Sequence, residues 1–96
     1  MRLVYSQDAV ADLSRLRDFI ARNDPGAAAR IARELVERIG RLCEFPEMGR
    51  RVSSAPDPAT LRDFILGRYV VRYSVHSDTL VILRIWHHHE SRQGSA

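Results

Sequence analysis

The sequence has no lysine, and all 15 of its basic residues are arginine. A guanidinium stays protonated, so no amine of tunable pKa is on hand as a general base. It has one cysteine, Cys43, which rules out an internal disulfide. Cys43 reads as a small buried hydrophobe, and an intracellular setting is the simpler one. Long apolar runs are absent too. The longest, "LVIL" at 80–83, is far too short to span a bilayer, and the opening "MRLVYSQDAV" turns polar too soon for a secretory signal. These absences lead us to expect a cytoplasmic protein with no membrane partner.

What is present suits one small globular domain of 96 residues, 45% hydrophobic and 28% charged. The charge is uneven. Residues 1–48 carry 8 Arg against 8 acids, and residues 49–96 carry 7 Arg against 4, so the second half holds the whole +3. An acidic partner or a nucleic acid would meet that half; arginine-rich codon usage would leave the same mark without function.

Hydrophobic spacing places the elements. "RLVY" at 2–5 reads as a short strand, and Ser6 as a helix cap with Asp8 in the first turn. Ala9, Val10, Leu13, Leu16, Phe19 and Ile20 then recur at helical spacing. "NDPG" at 23–26 stops that helix: Asn23 suits a left-handed end, Asp24 a new cap, and Pro25 the first turn of a second helix. The second apolar stripe runs from Ala28 to Leu42, with Glu34–Arg38 and Glu37–Arg41 at i,i+4 on the outer face. It is expected to end just before Pro46. "LRDFIL", "YVVRYSV" and "TLVILRIWHH" are strand-like, separated by Gly67-Arg68 and by "HSD". The expected fold class is α+β, in the order β-αα-βββ: an antiparallel sheet with an N-terminal helical hairpin packed on one face. Within a single 1–96 domain, the hairpin spans about 7–45, a loop about 46–60, the sheet hairpins about 61–89 and a short tail 90–96.

Strict alternation would set Val81, Leu83, Ile85 and His87 on one face of the last strand, and Leu80, Ile82, Arg84 and Trp86 on the other. The sheet face away from the helices is expected to hold Arg72 and Arg84, given a register that puts both on one side. Tyr69 and Tyr73 fall at core spacing, and Trp86 is expected to pack on the sheet.

The strings "VYSQDAVADLSRLRDFIARNDPGAAARI", "LCEFPEMGRRV" and "GRYVVRYSV" followed by "LVILRIWHH" carry a resemblance over about residues 2–90. In that order they resemble the RelE/ParE toxins of bacterial type II toxin–antitoxin systems. The ParE branch is nearer, because of the Pro-x-x-Gly-Arg loop and the long second helix. The resemblance implies a toxin that inhibits DNA gyrase by protein binding, neutralised by a cognate ParD-like antitoxin, with DNA met only through the antitoxin complex. On that reading there is no catalytic residue, no cofactor and no metal. The target-binding candidates are Arg62, Arg72, Arg84, Trp86, His88 and Arg92.

Two other roles stay open. A RelE-like ribosome-dependent mRNA endonuclease would use His88, Arg84, Arg72 and Glu90. It departs from that branch's pattern, which has lysines after the loop, an arginine after the Gly-Tyr of the central strand and often a C-terminal tyrosine; here Val70 follows Tyr69 and no tyrosine follows Trp86. A non-toxic, partner-binding member is the third. The three consecutive histidines, His87 to His89, allow several readings. His87 and His89 point the same way on a strand, but zinc needs a third ligand and none is signalled. A plain strand end, with His87 completing the core stripe, competes with a functional edge of His88, Glu90 and Arg92 beside Arg84.

Overall fold

The computed structural model describes residues 1–52 and 60–88. In chain order it has β1 (Arg2–Tyr5), α1 (Gln7–Asn23), α2 (Pro25–Gly40), a 3₁₀ turn (Arg41–Cys43), β2 (Arg50–Arg51), β3 (Leu61–Leu66), β4 (Tyr69–Val75) and β5 (Thr79–His87). The caps explain the helix starts. Ser6 accepts a hydrogen bond from Ala9 N–H at 3.0 Å, and Asp24 from Ala27 N–H at 3.1 Å. Asp24 also ends α1: its φ of −152° leaves the helical region, and its own N–H still reaches Ile20 O at 2.8 Å. Asn23 therefore does not take the left-handed form; among the described residues positive φ is confined to Gly67. The second helix stops at Gly40, short of Pro46, and its last turn tightens into the 3₁₀ form. On its outer face Glu34 lies 3.9 Å from Arg30.

The sheet has the order β1-β5-β4-β3-β2. The pairings among β3, β4 and β5 are antiparallel, as expected; β2, a two-residue strand inside the stretch expected as loop, pairs antiparallel with β3, and β1 runs parallel to β5, which makes the sheet mixed. A parallel partner needs a long crossover, and here the helical hairpin and three strands supply it. Gly67, at φ +58°, opens the two-residue turn between β3 and β4. Helices α1 and α2 cover one face, and the core between them and the sheet includes Leu16, Ile39, Val71, Tyr73, Ile82 and Ile85.

The last strand departs from strict alternation. Arg72 pairs with Arg84 but Tyr73 pairs with Ile82, so Leu83 is an extra residue, a bulge. The phase of β5 slips there. Leu80 and Ile82 before the bulge and Ile85 and His87 after it are all buried, while Arg84 is exposed. In unbroken alternation through Leu83, Arg84 would follow Ile82 into the core. The bulge sets Arg84 on the open face directly across from Arg72, and so fixes the register that sequence left undetermined.

Candidate functional site

The open face carries Asp63 on β3, Arg72 on β4, and Arg84 and Trp86 on β5. The in-register pairs Asp63–Arg72 and Arg72–Arg84 line up across three strands. Two arginines placed directly opposite would repel, and each is compensated by its own carboxylate. Arg72 makes a two-pronged bond to Asp63, Nε to Oδ1 at 2.8 Å and Nη2 to Oδ2 at 3.0 Å. Its guanidinium also lies 5.2 Å from the centre of the Trp86 ring, a cation–π distance. Hydrogen bonding to Asp63 holds Arg72 above the usual arginine range.

Arg84 reaches around the sheet edge. Strand β1 flanks β5 only over Thr79–Ile82, and beyond it α1 takes the place of a neighbouring strand. Ser6 Oγ donates to Leu83 O at 2.9 Å, and Arg15 Nη2 to Ile85 O at 3.2 Å. Asp12, only 2% exposed, accepts from Ile85 N–H at 2.8 Å. Arg84 completes this clamp with Nε to Asp12 Oδ2 at 2.9 Å and Nη2 to Oδ1 at 3.1 Å. Arg15 bonds the same carboxylate. Burial alone would raise the Asp12 pKa, but the hydrogen bonds from Arg84, Ile85 N–H and Arg15 outweigh it and hold the group below the ordinary carboxylate range.

The remaining candidates are scattered. Arg62 lies in register with Tyr73, on the helix side of the sheet, and donates to Glu47 O at 3.1 Å and Gly49 O at 2.7 Å. It does not join Arg72 and Arg84. His88 is exposed at the end of β5, its backbone N–H on Arg68 O. Glu90, Arg92 and His89 lie outside the described residues. His87 is buried, with Tyr69 edge-on at 5.0 Å and Phe19 at 5.5 Å between ring centres, so it completes the core stripe. Among the described residues no cluster of His, Cys, Asp or Glu could hold a metal ion, and no helix is long and apolar enough to cross a membrane.

The sequence reading missed Asp12, Asp63 and the Tyr73 hydroxyl. Asp12 had a signal: it stands between Ala9 and Leu16 on the buried stripe of α1, where an acid must have partners. Asp63 is an acid inside a strand, a weaker mark. Nothing local signals that Tyr73 Oη donates to Pro46 O at 2.7 Å and accepts from Gly49 N–H at 2.8 Å.

A two-helix layer on a five-stranded mixed sheet is an α+β architecture that solved toxin–antitoxin structures share. Structural likeness agrees. The chromosomal ParDE toxin–antitoxin system from P. aeruginosa contains a chain that superimposes with a TM-score of 0.78 at 25% identity, covering 91% of this chain and 95% of that one. The RelB-RelE antitoxin–toxin complex from Methanococcus jannaschii gives 0.62 over 97% of this chain and 99% of that one, at 14% identity, a likeness of fold alone. In sequence the chain is 38% identical over 87 residues to toxin RelE2 of Caulobacter vibrioides, covering 90% of this chain and 93% of the relative. Toxin RelE1 of the same organism is 32% identical over 90 residues, covering 94% and 96%. The profile described as the ParE toxin of the type II toxin–antitoxin system parDE matches residues 3–92. The chain belongs to this ParE/RelE family of type II toxins.

Proposed function

We propose that this toxin acts as ParE-like members do, by binding DNA gyrase and stalling it on cleaved DNA, and that a ParD-like antitoxin neutralises it in the cytoplasm. DNA is then met through the antitoxin complex. The observation that carries the reading is the double pairing of Arg72 with Asp63 and Arg84 with Asp12. Cleavage of RNA through its 2′-OH needs a base, an acid, and cations to stabilise the charged phosphorane. Here both face arginines already have carboxylates in two-pronged contact. Arg84 keeps outer N–H groups toward solvent, but Asp12 already offsets the positive charge it could lend a phosphate. A charge-compensated face with Trp86 stacked on Arg72 suits contact with a protein surface better than phosphate chemistry.

The rival is the ribosome-dependent mRNA endonuclease. The RelE names of the two Caulobacter relatives favour it, as does the exposed His88, imidazole being a common acid–base group. One comparison separates them. Purified toxin is incubated with gyrase, ATP and plasmid DNA, and separately with translating ribosomes, alongside the His88→Ala variant. We expect loss of supercoiling with trapped double-strand cleavage, unchanged in the variant, and intact mRNA. Cleaved mRNA that depends on His88, with gyrase unaffected, would move the protein to the RelE activity.

A further inference from the structure

The open face holds the parts of a site for single-stranded nucleic acid, yet each part is already in use. Such sites combine cations that follow the phosphates with an aromatic ring on which a base can stack. Arg72 and Arg84 stand in register on neighbouring strands, and half-buried Trp86 lies one row further along, across from Val70. Asp63 holds Arg72 where its guanidinium lies 5.2 Å from the centre of the Trp86 ring, so the stacking surface is engaged as well.

Each of the two guanidiniums is held from its far side. Asp63, on β3, takes Nε and Nη2 of Arg72; Asp12, on α1, takes Nε and Nη2 of Arg84. A phosphate also favours such a two-pronged contact with arginine. Arg15 shares Asp12, so three guanidiniums carry a net charge of only +1. One carboxylate between the opposed arginines would relieve their repulsion. Two, placed outside the pair, do more: each fills a fork that a phosphate could take.

We propose that Asp63 and Asp12 are specificity-determining residues, which keep RNA phosphates off an arginine face that serves protein contact. This deepens the protein-contact reading of the toxin and rests on it. Affinity for a polyanion grows with each phosphate that a cation neutralises, and a cation already offset adds little. Discrimination then comes from an element set against the wrong partner. Asp63 is the cleaner probe: its side chain is 18% exposed, whereas that of Asp12 is 2% exposed and also holds Ile85 N–H.

The ligand for the test is a labelled single-stranded RNA oligonucleotide, with affinity read by fluorescence anisotropy over a salt series. Wild type should bind weakly. Asp63→Asn should bind about 10-fold tighter at low salt, the gain of one charge-assisted contact. Its salt slope should steepen by about 0.7, the increment for one more phosphate neutralised on a single strand. Asp63→Glu keeps the charge and should stay at the wild-type level, and adding Arg72→Gln to Asp63→Asn should cancel the gain. Asp12→Asn frees Arg84 from the other side and should give a gain of its own, so either variant decides the matter if the other fails to fold. Unchanged RNA affinity in a folded variant, with gyrase still inhibited by wild type, overturns the masking alone. A gain that survives Arg72→Gln overturns it too. Wild type that already binds RNA as tightly as Asp63→Asn, and cleaves mRNA, overturns the masking and the protein-contact reading together.

Discussion

Asp12 and Tyr5 are two buried polar groups with opposite fates. Asp12 has every lone pair engaged by Ile85 N–H, Arg84 and Arg15. Tyr5 Oη is buried with no hydrogen-bond partner among the described residues, and burial, with the Cys43 thiol nearby, raises its pKa. An unmet hydroxyl costs its desolvation and returns nothing. Tyr5→Phe should therefore hold or raise the melting temperature. A clear fall in calorimetry would mean that the hydroxyl has a partner after all. Asp12→Ala should do the reverse, costing about 1–3 kcal/mol by stranding the Ile85 N–H, as read from chemical denaturation.

At the scale of the element, β5 matters most. One extra residue, Leu83, lets a single strand send Ile82 and Ile85 to the same core and Arg84 to the other face. Deleting Leu83 should restore plain alternation with every side chain on its present face, Ile82, Ile85 and His87 inward and Arg84 outward. A loss of only about 1 kcal/mol is expected, from the bond that Ser6 Oγ gives to Leu83 O; a collapse of the urea midpoint would show that the strand needs the bulge itself. This element also marks where sequence stops being legible. The apolar stripes of α1 and α2, the caps at Ser6 and Asp24, and the Gly67 turn are local features and were readable from spacing. The bulge was not, because "LVILRIWH" is apolar enough on both sides to satisfy either phase. Arg72 and Arg84 were legible as candidates, but their partners Asp63 and Asp12 are nonlocal: Asp12 lies 72 positions from Arg84. The bonds of Arg62 to Glu47 O and Gly49 O are nonlocal in the same way.

For the whole molecule, the Asp12 clamp joins the helical layer to the sheet, so its titration reaches global stability. Its folded pKa is depressed, so its contribution is full above the unfolded value of about 4 and drains away as pH falls through the still lower folded value. Wild type should thus lose stability below about pH 4. Asp12→Asn should start lower and show a shallower acid limb; parallel limbs in calorimetry would assign the acid sensitivity to other carboxylates. The fold class followed from the order of amphipathic stretches. The mixed sheet did not, because a four-residue strand carries no mark of which partner it will find.

That pairing has a consequence in time. β1 is made before β2 to β5, yet among the described residues its only neighbour in the sheet is β5, and Ser6 closes on Leu83. During synthesis the helical hairpin can form early, from local contacts, while residues 2–5 have nowhere to lie until residue 82 has left the ribosome. The edge clamp, the Arg84 pairing and the finished open face all wait on the same late strand. The completed open face therefore exists only once translation of the sheet is over.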